Sequence, residues 1–218
     1  MTIETASSKI HEIGIIPVVR AANVDEARRA VDAIHAGGIP IIEITMTVPN
    51  APAMIEELVR HYGADVLTGA GTVTTAKQAE ICLDAGAQFL VSPGLSVAVL
   101  QTAARRGILA IPGALTPTEV MAALEAGAKL IKIFPCGSAG GPKHIKALKA
   151  PFPETRLIPT GGVNLTNAAE YFAAGSFALG VGADLVDLAA VRRNETTKIT
   201  DMAKALIDTV RLARPSKL

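Results

Sequence analysis

Short runs of apolar residues alternate with amphipathic stretches along most of the chain. The stretch VDEARRAVDAIHA places apolar residues at the spacing of one helix face, and it follows Asn23, a residue type that caps helices. Further such stretches follow the predicted capping residues Asn50, Ser96 and Thr116. Most such stretches end at a glycine, which can adopt the left-handed backbone that terminates a helix, and an apolar run follows. This pattern predicts a repeated strand–helix unit. The glycines recur at intervals of 26, 23, 21 and 20 residues, at Gly37, Gly63, Gly86, Gly107 and Gly127.

Eight of the apolar runs have the length of buried strands. Eight strand–helix units in about 200 residues match a (β/α)8 TIM barrel, an α/β fold, which is the fold that we expect. A leucine-rich-repeat solenoid has a similar period, but the runs lack its fixed Leu and Asn spacing. An open doubly wound sheet uses the same units and is the stronger alternative. The predicted strands are Ile13–Arg20, Ile39–Thr45, Asp65–Gly69, Phe89–Ser92, Leu109–Ile111, Leu130–Phe134, Arg156–Pro159 and Ala178–Gly180.

Composition excludes several classes of protein. Of the 218 residues, 50% are hydrophobic and 19% are charged, which excludes disorder for most of the chain. Lys and Arg number 21 against 20 Asp and Glu, so a net charge of +1 provides no field that would attract a nucleic acid or an anionic membrane. No uncharged apolar run reaches the roughly 18 residues that span a bilayer. We therefore expect neither nucleic acid nor membrane as a partner.

The cysteines and the N-terminal residues indicate the cellular compartment of the protein. Cys82 and Cys136 cannot form a disulfide framework, and the first twelve residues lack the apolar segment of a signal peptide. We expect residues 1–218 to form one barrel domain in the cytoplasm. Cys82 is expected to be a packed helix residue, and Cys136, with no neighbouring histidine in the sequence, is not expected to be a nucleophile.

Two charged residues stand inside otherwise apolar predicted strands, near the carboxyl ends at which barrel active sites lie. They are Lys132 in LIKIF and Glu43 in IIEIT. Burial disfavours both charges, so the pKa of the lysine is expected to fall and that of the glutamate to rise. An amine that can form an imine beside a carboxyl that can move protons is suited to Schiff-base carbon chemistry. The alternative is a buried structural ion pair.

Glycines follow two further predicted strands. Thr160, Gly161 and Gly162 come at the end of one strand, and Gly180 to Ala183 at the end of the next. Backbone amides that glycines expose at helix N-termini bind phosphate, and the last two strand–helix loops are its usual location in these barrels. The sequence therefore favours a phosphate site, with ordinary tight turns as the alternative.

The histidines do not suggest a metal site. Metal-dependent aldol chemistry needs a set of His and carboxylate ligands that converge at the strand ends. The predicted strand ends carry no such set of ligands. We expect no metal and no other cofactor. The four histidines, all on predicted helices, are His11, His35, His61 and His144.

Together these motifs resemble the 2-keto-3-deoxy-6-phosphogluconate (KDPG) aldolases, a family that includes 4-hydroxy-2-oxoglutarate (KHG) aldolase activity. The resemblance runs from about Ile10 to Leu185, with the motifs in order and at matching spacings. The motifs are IIEITMT around Glu43, GAGTV (69–73), SPG (92–94), IPG (111–113), KIFP (132–135) and PTGGV (159–163).

The resemblance implies a class I aldolase on a (β/α)8 barrel with a short N-terminal helix, assembled as a homotrimer. Its partners would be a small 2-oxo acid substrate and pyruvate. Lys132 falls on the Schiff-base lysine and Glu43 on the catalytic acid/base. Substrate-binding positions of the family fall on Arg20, Thr47, Thr72, Pro93 and Thr160, and phosphate-binding positions on Gly161, Gly162, Gly182 and Ala183.

Two departures from the family pattern affect the expected substrate. Many gluconate-type members have an arginine where this chain has Thr47, and a serine of the phosphate site is replaced by Ala183. Galactonate-type members carry an arginine that Arg20 matches, so Arg20 is a candidate to bind the substrate carboxylate and the preferred C4 epimer stays open. The alternative functions are a sugar-phosphate isomerase or epimerase on the same barrel and a non-catalytic sugar-phosphate binding protein.

Overall fold

Parallel strands form a closed barrel in the computed structural model, which describes residues 2–214. The predicted (β/α)8 barrel is confirmed. All residues of the strands are buried, because helices cover the outside and side chains fill the inside. The strands are β1 (Ile15–Val19), β2 (Ile41–Thr45), β3 (Leu67–Gly71), β4 (Phe89–Val91), β5 (Leu109–Ile111), β6 (Gly113–Ala114), β7 (Ile131–Ile133), β8 (Leu157–Pro159) and β9 (Leu179–Val181).

The strands are hydrogen-bonded in the orders β5-β4-β3-β2-β1-β9 and β6-β7-β8. Segments β5 and β6 belong to one pass of the chain that is interrupted at Pro112, so the nine segments make eight barrel positions. A bridge between Thr160 and Gly180 joins the β8 side to β9 and closes the circle. Counted around this circle, β2 and β7 lie opposite each other.

The expected short N-terminal helix, α1 (Ile3–Ile13), precedes β1. The other helices follow strands along the chain. The side chains of Asn23, Ser96 and Thr116 cap their helices as predicted, and Glu119 completes a capping box with Thr116. The helices are α1 (Ile3–Ile13), α2 (Val24–Ala36), α3 (Ala51–Tyr62), α4 (Ala76–Asp84), α5 (Val97–Arg105), α6 (Pro117–Glu125), α7 (Pro142–Lys149), α8 (Ala168–Ala173), α9 (Leu188–Arg192) and α10 (Thr197–Ala213).

Three local predictions were wrong. Strand β3 ends at Gly71 rather than Gly69, because Gly69 to Gly71 continue the parallel pairing with Glu43 to Thr45 of β2. Asn50 precedes α3 but has a left-handed backbone and no side-chain capping bond. At the end of α2 the glycine with positive φ is Gly38, whereas Gly37, the predicted terminator, has φ of −81°.

The barrel geometry places the predicted chemistry at one end. In parallel barrels the loops that follow the strands form the active-site face, and Glu43 and Lys132 lie near the carboxyl ends of β2 and β7. Among residues 2–214, no helix is both long and apolar enough to cross a membrane.

Candidate active site

Lys132 and Glu43 meet in the interior of the barrel. Their strands lie opposite each other, and both side chains point into the barrel. Lys132 Nζ lies 3.9 Å from Glu43 Oε1. The side chains are only 9% and 4% exposed. Within residues 2–214, Glu43 Oε1 has no hydrogen-bond partner. The structure therefore brings together the amine and the carboxyl that the sequence singled out.

The surroundings of this pair are apolar. Lys132 Nζ lies 5.2 Å from the centre of the Phe134 ring, a distance at which an ammonium interacts favourably with an aromatic face. The gap between the amine and the carboxylate oxygen is too long for a hydrogen bond. A small cavity adjoins both groups. Its other lining residues are Ile16, Val91, Ile111, Ile158, Thr160 and Gly180.

Gly71 provides the space that the Glu43 carboxyl occupies. A Cβ atom at Gly71 would lie 1.9 Å from Glu43 Oε1. The role of Gly71 could not be predicted from the sequence, because a glycine that leaves room for a side chain on another strand has no local signal.

Thr72, the next residue, is half-buried and has a left-handed backbone with φ of +58°. This conformation is costly for a β-branched residue, and residues strained in this way cluster at functional sites. It turns the chain sharply at the carboxyl end of β3, beside the strand that carries Glu43.

A second cavity lies between the loops that follow β1, β8 and β9. Gly161 and Gly162 have φ of +86° and +77°, which only glycine adopts readily. Thr160 also borders the cavity around Lys132, so the two cavities are adjacent at this residue. The structure thus brings all four predicted phosphate-binding residues together. The lining consists of Val18, Arg20, Phe134, Thr160, Gly161, Gly162, Val163, Gly182, Ala183 and Asp184.

The loop after β7 fixes the direction of two amides in this second cavity. The N–H groups of Cys136 and Gly137 donate to the carbonyls of Thr160 and Gly161, at 2.9 and 2.8 Å. In a trans peptide the N–H points opposite to the carbonyl, so the amides of Gly161 and Gly162 point away from that loop. Neither amide donates a hydrogen bond to another described residue. Such outward amides are suited to an anion.

Arg20 is exposed at the end of β1, beside Gly182. Its Nη1 lies 3.6 Å from the position that a Cβ of Gly182 would take. Within the described part of the chain, the guanidinium forms no ion pair. Arg20 and Asp184 both line the second cavity, beside the glycine loops.

Three predicted substrate-binding residues line neither cavity. Thr47 is exposed, and its hydroxyl lies 2.8 Å from that of Thr45. Thr72 and Pro93 are half-buried in the loops after β3 and β4. All three lie at the same end of the barrel as Lys132, but the structure does not place them against the lysine–glutamate pair.

The cysteines and histidines behave largely as the sequence suggested. Cys136 is fully buried, and this burial raises the pKa of its thiol to about 11, so it is a poor nucleophile. Cys82 is also buried, with its sulfur 3.3 Å from that of Met46. Each histidine lies on a helix, as predicted: His11, His35, His61 and His144 are on α1, α2, α3 and α7.

Comparisons with known proteins agree with this geometry. Residues 6–202 match the family described as KDPG and KHG aldolase. A 2-dehydro-3-deoxy-phosphogluconate aldolase of Treponema pallidum is 34% identical over 94% of this chain and 98% of its own. A 2-dehydro-3-deoxy-6-phosphogalactonate aldolase of Escherichia coli is 38% identical over 80% of this chain and 85% of its own.

A solved structure is also similar to this chain in sequence and fold. The KDPG aldolase of Legionella pneumophila, captured with pyruvate as a covalent carbinolamine intermediate, superimposes with a TM-score of 0.86. It is 32% identical, and the match covers 92% of this chain and 97% of that chain. The barrel and its relatives define a Schiff-base aldolase, a carbon–carbon lyase. The chain belongs to the KDPG and KHG aldolase family.

Proposed function

We propose that this chain cleaves a 6-phosphorylated 2-keto-3-deoxy aldonic acid, of the gluconate or galactonate type, into pyruvate and glyceraldehyde 3-phosphate. The observation that carries the proposal is the buried pair of Lys132 and Glu43, 3.9 Å apart beside a cavity that shares Thr160 with the cavity at the glycine loops. We propose further that residues 1–218 act as one cytoplasmic aldolase domain, and that 4-hydroxy-2-oxoglutarate is cleaved to pyruvate and glyoxylate.

In this proposal Lys132 is the nucleophile. Its neutral amine attacks the C2 ketone to form a carbinolamine, which loses water to give an iminium. The positive nitrogen then accepts the electron pair of the C3–C4 bond when that bond breaks. The carbinolamine captured in the Legionella enzyme supports this step. A lysine that performs this electron withdrawal makes a metal unnecessary, so chelators should leave turnover unchanged.

Glu43 is the acid/base in the same scheme. Its unpaired Oε1 takes the proton of the C4 hydroxyl, directly or through a water, and the aldehyde product leaves as the C3–C4 bond breaks. The remaining enamine is protonated at C3 to give the pyruvate iminium. Water then adds at C2, pyruvate leaves, and the Lys132 amine is restored.

The glycine loops are proposed to hold the phosphate. The amides of Gly161 and Gly162 point away from the loop that supports them, and Gly182 and Ala183 border the same cavity. Arg20 lies beside Gly182, which favours a contact with the phosphate rather than with the carboxylate at the pyruvyl end.

The pyruvyl end of the substrate is proposed to lie between Lys132 and the loops after β2, β3 and β4. Thr72 is the proposed partner of the carboxylate, and Thr47, Pro93 and Thr160 are the other proposed substrate contacts. The left-handed backbone of Thr72 supports its part of this proposal.

Borohydride trapping tests the nucleophile. Reduction in the presence of pyruvate should inactivate the enzyme and add one pyruvyl group to Lys132, located by peptide mass mapping. Lys132→Met should lose turnover by at least about 10⁴-fold and should not be labelled. The exposed neighbour Lys129 is the control, since Lys129→Met should behave as the wild type. A label on another lysine, or retained activity in Lys132→Met, would refute the assignment.

A substrate panel separates the proposed activity from its alternatives. Pyruvate release is measured from the gluconate and galactonate C4 epimers of the phosphorylated acid and from 4-hydroxy-2-oxoglutarate, with and without a chelator. An isomerase or a binding protein would release no pyruvate from any of them. A loss of turnover that divalent cations restore would contradict the metal-free scheme.

We also propose a homotrimer. Exposed large apolar side chains lie on three consecutive helices: Ile81 on α4, Val97 on α5, and Met121 and Leu124 on α6. Covering such side chains between subunits would remove apolar surface from water. Met121, which is 51% exposed, offers the test: Met121→Lys should lower the mass measured by light scattering. A wild-type protein that is monomeric at micromolar concentration would refute the trimer.

A further inference from the structure

Gly71 lies where β3 passes the Glu43 carboxyl. A Cβ atom added to Gly71 would lie 1.9, 2.6 and 2.7 Å from Oε1, Cδ and Cγ of Glu43. These distances are shorter than any non-bonded contact between such atoms. The Glu43 carboxyl therefore occupies the space that a side chain at position 71 would need.

The backbone itself does not require glycine at this position. Gly71 belongs to β3, does not have positive φ, and accepts a hydrogen bond from the Met46 N–H at 2.8 Å. An alanine could adopt the same backbone and keep that bond. The requirement is one of space, and the group that needs the space is the glutamate.

Glu43 has little freedom to move elsewhere. It is 3% exposed, and β2 and β3 are paired in continuous register from Ile41 with Leu67 to Thr45 with Gly71. A Cβ at position 71 would therefore displace the carboxyl within a packed interior. The distance between Glu43 Oε1 and Lys132 Nζ would change.

We propose that Gly71 is a positioning residue: its missing side chain creates the socket that holds the Glu43 carboxyl facing Lys132. The inference rests on the proposed role of Glu43 as the acid/base. It adds a residue that does not touch the substrate but sets the geometry of proton transfer.

Gly71→Ala is the first test. Misplacement of a catalytic group by about 1 Å can cost about 100-fold in rate, so kcat should fall by about that factor with every substrate. Lys132 should still be labelled by pyruvate and borohydride, because the amine is not displaced directly. A kcat within about threefold of the wild type would overturn the proposal.

Gly69→Ala is the matched control on the same strand. A Cβ at Gly69 would meet the ring of Phe89 at 2.4 Å instead of the glutamate. This variant should lower the melting temperature but retain most of its kcat. If Gly69→Ala and Gly71→Ala lose rate equally, the effect is general strain in β3 and the proposal fails.

Variants at Glu43 complete the test. Glu43→Asp withdraws the carboxyl by one methylene, so Gly71→Ala combined with Glu43→Asp should turn over faster than Gly71→Ala alone. Losses that simply multiply would overturn the inference.

If Gly71→Ala does not fold, adding Glu43→Ala should restore folding by vacating the socket. A double variant that also fails to fold would show that Glu43 is not the obstacle.

The proposed role of Glu43 fails separately: a fully active Glu43→Gln would refute that role, whereas a slow Glu43→Gln with a fast Gly71→Ala would refute only the socket.

Discussion

The lysine–glutamate centre and the glycine-loop cavity lie at the same end of the barrel, but they are built in different ways. The first consists of two buried side chains that extend from opposite strands and meet at 3.9 Å. The second consists of backbone amides and an exposed arginine, supplied by loops. Strands fix the position of the first, whereas hydrogen bonds between loops fix the second.

This difference separates reaction chemistry from substrate selection. Electrostatic interactions are strong in the dry interior, so a change to the buried pair should affect every substrate alike. The exposed cavity is screened by water and contacts only the distal part of a substrate. A change in the exposed cavity should therefore affect phosphorylated substrates alone.

Among the changes that test the difference between the two regions, the largest effect is expected for Glu43→Gln. Loss of a positioned general base costs about 10²- to 10⁴-fold in rate, so cleavage should slow by such a factor for phosphorylated and unphosphorylated substrates alike. The variant should still form the borohydride-trapped pyruvate adduct on Lys132. Steady-state kinetics, trapping and thermal melting are measured on the same sample.

A structural ion pair would give a different result. Removal of one partner would then leave a buried charge and destabilise the fold by about 3–5 kcal/mol. Glu26 provides a comparison outside both cavities, because it is also buried and its carboxylate binds Nε of the exposed Arg192 at 2.6 Å. Glu26→Gln should lower stability and leave kcat unchanged, which is the pattern that Glu43→Gln must not show.

The sequence predicted the buried pair because its signal is local. A charged residue inside an apolar strand is unusual, and the repeat placed Lys132 and Glu43 on two strands whose carboxyl ends meet in a barrel. The repeat also predicted every barrel strand, although β3 was placed two residues too early. Glycines at 69 and 71 suggest a loop, whereas in the barrel they give space to Phe89 and Glu43.

Contacts between distant loops were not predictable in this way. The support of Gly161 by the amide of Gly137 depends on how two loops approach each other in space. The position of Arg20 beside Gly182 likewise depends on the closure of β1 against β9. Sequence spacing carries no information about such approaches. The family resemblance suggested the substrate carboxylate as the partner of Arg20, and the group that Arg20 binds stays a prediction.

Arg20→Lys sharpens the comparison at the second region. A lysine cannot reproduce the planar guanidinium fork, so kcat/KM for the phosphorylated acid should fall by about tenfold or more. The value for 4-hydroxy-2-oxoglutarate should stay within about twofold. Equal losses on both substrates would assign Arg20 to the carboxylate and break the proposed separation, and no loss on either would make it a structural residue of the barrel rim.

The smallest effect is expected at Cys136, whose backbone N–H donates to the carbonyl of Thr160. Burial raises the pKa of its thiol to about 11, so the thiol is protonated at every lower pH. At pH 8 only about one molecule in 10³ carries the reactive thiolate, and that thiolate is inaccessible. Iodoacetamide at pH 8 should therefore leave the native enzyme unlabelled and its kinetics unchanged.

The unfolded chain is the positive control, since it should take up two equivalents, at Cys82 and Cys136. Rapid labelling of native Cys136 with a selective rise in KM for the phosphorylated acid would show that this loop opens during turnover, so that the two regions are not independent.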